Sequence, residues 1–163
     1  MAITVTYVSQ LTVVETLAGE YLGTDNTVTT NGLNTSNEWT ASTTPPVSKY
    51  SAGTLTLSSG SGTINLASMP DANGVAGTVD FTGLKVNAYK LRNKSTNANN
   101  ITIAEGASNG YPLHGASFTL TLRPGEELTY KGTDVGTDVG SADRILDVTG
   151  TGSQILEFEL VAG

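Results

Sequence analysis

The segment Phe118–Gly132, "FTLTLRPGEELTYKG", carries apolar residues at every second position. Phe118, Leu120 and Leu122 share one face, Pro124-Gly125 supplies turn chemistry, and Leu128 and Tyr130 return on that same face. The pattern predicts a β-hairpin over 117–131. A period of two recurs at the end of the chain, where "QILEFELVAG" sets Leu156, Phe158 and Leu160 against Glu157 and Glu159. This predicts a strand over 154–161, apolar on one face and wet on the other. Shorter alternating runs occur at "GTLTLSS", "GTINLA", "NITIAEG" and "RILDVTG", and Asn-Gly pairs at 31, 73 and 109 suit tight turns. From Val47 onward this gives about eight strands and no convincing helix, the number expected of a two-sheet jelly roll. The fold class predicted is all-β, a jelly-roll-like β-sandwich.

In "GLKVNAYKLRNKS" the apolar phase slips, because Leu84, Val86 and Ala88 share one parity while Tyr89 and Leu91 take the other. A β-bulge near Ala88 and Tyr89 reconciles them. Lys85, Lys90, Arg92 and Lys94 then project to the outer face, either as a solvated face that discourages edge pairing or as a contact for an acidic partner.

The first 46 residues read differently. "ITVTYV" alternates as a strand, and although Tyr7, Leu11, Val14, Ala18 and Tyr21 also fit helical spacing, the Val and Thr residues favour extended chain. The polar stretch that follows ends at Pro45-Pro46. Residues 1–46 are therefore expected to form an arm, adding one or two strands to a sandwich of residues 47–163 and docking on a partner by strand addition. The unpaired edge of "ITVTYV" would be a liability on a free monomer. Tyr7 and Trp39, the single tryptophan, are candidate interface anchors, with a core role the alternative for Trp39.

A chain of 163 residues without cysteine suits one domain held by packing alone, with no disulfide or thiolate metal site. Its formal charge is -7, and Lys49 is the only basic residue before residue 81. Such a field repels phosphate backbones, so no nucleic-acid partner is expected. The N-terminus lacks a secretory pattern and no run approaches the roughly 20 apolar residues of a membrane helix. The expectation is a soluble chain made in a cytoplasm, with no membrane partner. Only 14% of residues are charged, against roughly 25% in an average domain, so the surface must be rich in Thr, Ser, Asn and Gly.

Catalytic motifs fail on their context. "GASNG" (106–110) matches the G-x-S-x-G elbow around Ser108, but loop and strand follow where the elbow needs a helix, and no Asp separates Ser108 from His114. A single histidine cannot build a multi-histidine zinc site. In "KGTDVGTDVGSADR", Asp134 and Asp138 are four apart with no Glu in reach, unlike an EF-hand loop. Ser108, His114, Asp134 and Asp138 are expected to be loop residues, with no catalytic, cofactor or metal site.

The segments "TTPPVSK", "GLKVNAYKLRNKSTNANNITIAEGASNGYPLHG", "LTLRPGEELTYKG" and "DVTGTGSQILEFELVAG" together resemble the small β-sandwich virion proteins of tailed bacteriophages. The resemblance spans residue 40 to the end and rests on pattern elements: the strand with "RNKSTN", the "PGEEL" turn and the glycine-bounded last strand. It implies a head decoration, or cement, protein on the capsid surface. Its implied partner is the major capsid protein, as a homo-oligomer with a trimer favoured, without catalytic residues or cofactor. The alternative is a carbohydrate- or receptor-binding module of a tail fibre or adhesin, using Trp39, Tyr50, Tyr89 and Tyr111.

Overall fold

The computed structural model describes residues 3–10, 12–17, 26–30, 34–71, 77, 79–133 and 135–163. Asp134 lies outside them. Among the described residues the secondary structure is all strand, without helix. Eight strands follow the arm: β5 (Lys49–Thr56), β6 (Ser61–Asn65), β7 (Val86–Asn93), β8 (Ile101–Glu105), β9 (Thr119–Leu122), β10 (Glu127–Lys131), β11 (Ile145–Thr149) and β12 (Ile155–Ala162). β5 pairs with β12, β6 with β11, β7 with β10 and β8 with β9, all antiparallel. First meets last and each inner pair nests within the outer one, as in a single long ribbon. Pairings of β12 with β7 and of β11 with β8 roll this ribbon into two sheets, ordered β10-β7-β12-β5 and β6-β11-β8-β9. This nesting is the connectivity of a jelly roll, as the alternating runs predict.

The core lies between the two sheets. Leu91, Leu156 and Leu160 from one sheet meet Ile101, Ile103 and Leu146 from the other, all fully buried. β12 lies inside its sheet between β7 and β5, with Leu156, Phe158 and Leu160 buried and Glu159 exposed.

The hairpin expected over 117–131 is not one. The chain does turn at Pro124-Gly125, where Gly125 has a φ of 79°, but β9 joins β8 while β10 joins β7 in the opposite sheet. The connection arches between sheets. Alternation reports which face of a strand is buried, and both arms of an arch bury the same face as both arms of a hairpin. What fixes the arch is Asn93, fully buried at the end of β7. Its Nδ2 donates to the Leu122 carbonyl at 2.9 Å and to the Asn99 carbonyl at 3.1 Å. Its backbone N–H donates to the Glu126 carbonyl, and its own carbonyl accepts from the Gly125 N–H. The turn is thereby pinned to the neighbouring strand instead of closing on itself.

The bulge in β7 lies at Asn87, not at Ala88 and Tyr89. Val161 pairs with Ala88 and Ala162 with Val86, so Asn87 is the extra residue. This lets Val86 and Tyr89 both enter the main core despite opposite parity, while Ala88 turns outward. Asn87 is buried and its Nδ2 donates to the Pro46 carbonyl at 2.8 Å, tying the bulge to the linker before β5.

The arm holds more strands than the one or two expected. β1 (Val5–Ser9) pairs with β4 (Thr35–Trp39), and β2 (Val13–Leu17) pairs with β3 (Asn26–Thr30), again nested and antiparallel. The run "ITVTYV" is therefore covered on one edge by β4 of its own chain.

Candidate interaction surface

β7 and β12 present alternate side chains on the outer face of the β10-β7-β12-β5 sheet. Register places Lys90 opposite Glu159, and Arg92 opposite Glu157 on one side and Glu127 on the other. Lys90 Nζ lies 3.1 Å from Glu127 Oε2, and Arg92 Nε donates to Glu157 Oε2 at 2.5 Å. Two basic side chains thus stand among three carboxylates. Such exposed pairs stabilise by about 0–1 kcal/mol each and leave a mixed rather than a cationic surface. The four basic residues do not gather at one place. Lys94 lines a small depression with Arg92 and Glu127 beyond one end of the strand, whereas Lys85 lies at the other end, its backbone bonded to Gly163 and bridged to Asp138.

The arm covers another part of this outer face. Trp39, 4% exposed, packs with Val47, Ala88 and Val161, and Ile3, Val5 and Tyr50 close the cluster. Ala88 and Val161 are outward residues of the sheet that the arm buries. Tyr7 stacks on Trp39 with ring centroids 6.4 Å apart and planes 13° from parallel. Over the pair sits Lys131 from β10, its Nζ 5.6 Å from the Trp39 ring centre, 6.0 Å from that of Tyr7, and donating to Asn37 Oδ1 at 2.5 Å. Trp39 anchors the arm within its own chain, and the cation over two rings adds roughly 0.5–1 kcal/mol. Between β1 and the sheet remains a cleft of about 530 Å³, lined by Tyr7, Tyr50, Tyr130 and Val161. Nothing in the linear sequence marks Lys131 as the arm's contact.

The loop end of the sandwich holds the single histidine. His114 Nε2 hydrogen-bonds the Tyr89 hydroxyl, and its ring meets Tyr130 edge-on at 4.8 Å and Phe118 at 5.9 Å. His114 is itself exposed, and partial desolvation by these rings pushes its imidazole below the ordinary value of 6.5. Burial, and then the neighbouring Tyr130, hold the Tyr89 phenol well above the usual tyrosine range. The Tyr111 hydroxyl accepts from the Val86 N–H at 3.1 Å and donates to the Thr137 carbonyl at 2.8 Å. Of the four rings considered for sugar stacking, Trp39, Tyr89 and Tyr111 are buried and only Tyr50 keeps partial exposure.

Ser108 lies exposed in a turn rather than before a helix. The flanking glycines serve close backbone approach: a Cβ on Gly106 would stand 2.8 Å from the Ile145 side chain. Asp147 accepts from the Ala107 N–H at 2.9 Å and so holds this turn. Asp138 is exposed. Among the described residues no three His, Asp or Glu side chains converge to hold a metal ion. Comparison with known protein families, curated proteins and solved structures found no match.

Proposed function

We propose that this chain is a virion structural protein that decorates a capsid surface, strengthening the lattice by protein–protein contacts with the major capsid protein. The observation that carries this reading is the β2·β3 ribbon. Among the described residues β2 and β3 pair with each other and with no other strand, and an isolated two-stranded ribbon is at best marginally stable in water. Docking on a partner would stabilise such a ribbon by adding strands or surface beside it. The jelly roll supplies a closed body that presents this arm, and the arm's root is held by Trp39 and Lys131. A small contact repeated over a lattice gains affinity through multivalency without new contacts.

Where a major capsid protein is encoded beside this gene, co-sedimentation with emptied capsids assembled from it tests the reading, with saturable binding as the expected result. Binding to a glycan array without capsid binding would replace it with a receptor-binding module.

A further inference from the structure

We propose that the free edge of β1 pairs antiparallel with the same edge of a second copy of this chain, forming a two-fold dimer through a continuous sheet β4-β1-β1′-β4′. One edge of β1 is bonded to β4, and among the described residues no other strand pairs with the opposite edge. An open edge is a row of unpaired N–H and C=O groups, which proteins guard with charge, proline, bulges or brevity. The strand and its flanks, Ile3–Gln10, contain no charged residue, no proline and no glycine. Other edges differ. β4 carries Glu38, β10 carries Glu127 and Lys131, β5 carries Lys49, β2 carries Glu15, β3 has Asp25 and Gly32 in its flanking sequence, β9 has four residues, and β6 is interrupted by Gly62. β1 is also built of β-branched and aromatic residues, the best strand formers. Its Val8 is 58% exposed.

Self-complementarity favours a second copy as the occupant. Two chains of formal charge -7 repel over most of their surfaces, and the uncharged strip Ile3–Gln10 is where that repulsion opposes contact least. In the cleft beneath, Lys90 and Glu159 offset each other. An antiparallel edge is also complementary to itself under a two-fold axis.

Register follows from the faces. Val5 and Tyr7 point to the sheet half-buried, while Thr4, Thr6 and Val8 are exposed. Opposed residues share a face, so Thr6 must oppose a residue of its own parity. Placing Thr6 on Thr6′ sets Val5 against Tyr7′ and Val8 against Thr4′, covering the exposed valine. The pairing needs no capsid and stands or falls apart from the decoration reading. It makes two copies the unit, where the resemblance implies three.

The chain has no cysteine, which makes a cross-linking test clean. Sedimentation should show a dimer, and Thr6→Cys should oxidise to a covalent dimer because directly opposed positions lie about 4.5–5.5 Å apart at Cβ. Ser36→Cys, on β4, should remain uncross-linked, since its copy would stand three strand spacings away, about 14 Å. Val8→Lys should give a monomer with unchanged circular dichroism. A monomeric wild type, equal cross-linking at Ser36→Cys, or a Val8→Lys chain that stays dimeric would overturn the proposal. Should Val8→Lys misfold, the two cysteine variants still decide it.

Discussion

Asn93 Nδ2 donates to the Leu122 carbonyl across the sandwich, 2.9 Å from β7 in one sheet to the end of β9 in the other. Its Oδ1 accepts from Asn97 Nδ2 at 2.5 Å, and the Asn97 side chain in turn donates from Nδ2 to the Ile155 carbonyl at 2.7 Å and accepts at Oδ1 from the Ile155 N–H at 3.0 Å. Buried Asn93, held by half-buried Asn97, is therefore a polar staple between sheets within an otherwise largely exposed "RNKSTN" turn. Substituting Asn93→Ala removes this donor from the Leu122 carbonyl, while the exposed Asn99 carbonyl keeps Gln154 Nε2 as a donor. One such orphaned group costs about 1–3 kcal/mol, so urea unfolding should show a loss of roughly that size. A loss under about 0.5 kcal/mol, the range of ordinary surface substitutions, would mean that the staple does not hold the arch.

Lys131 over Tyr7 and Trp39 makes the single tryptophan a reporter of arm docking. Replacing Lys131→Ala should weaken the root of the arm while leaving the two-sheet core intact. In a urea titration the Trp39 emission should then shift red at a lower midpoint than the far-ultraviolet signal of the sandwich. Coincident midpoints in both wild type and variant would show that arm and core unfold as one unit.

The packing of His114 against Tyr89, Tyr130 and Phe118 gives stability a pH slope. In the unfolded chain the imidazole takes a proton near its ordinary value of 6.5, while in the fold it does so only at lower pH. Below that ordinary value the unfolded state binds more protons, so stability falls as pH drops, and the full contribution is present above it. The difference in urea midpoint between about pH 7 and about pH 5 should shrink in His114→Gln relative to wild type. An identical pH dependence in the two proteins would remove His114 as the cause.

How much of this was legible in the sequence differs by question. Period-two spacing identified which face of each strand is buried, because burial acts on every second residue wherever the strand sits. It was silent on sheet membership, and so Leu122 and Leu128 read as two arms of a hairpin although they lie in opposite sheets. The bulge was legible to within a residue or two, from the clash of parity between Val86 and Tyr89. The basic cluster misled for a related reason. The carboxylates facing it, Glu127 and Glu157, are distant in the chain and meet Lys90 and Arg92 only once β10 and β12 flank β7. Nor does any spacing rule mark a buried asparagine such as Asn93, or Lys131 as the residue that caps Trp39.

Ser9 pairs with Thr35 at the far end of the β1·β4 ribbon, and this permits a direct test of attachment. Residues 10–34 can be replaced by an Asn-Gly turn, which suits a two-residue hairpin, while Trp39, Tyr7 and the core keep their contacts. The measurement is co-sedimentation of this shortened chain, beside the full chain, with emptied capsids. The full chain should sediment with the particles, and the shortened one should remain soluble, keep its β circular dichroism and stay in the supernatant. Binding of the shortened chain at full strength would contradict the assignment of capsid attachment to the β2·β3 ribbon.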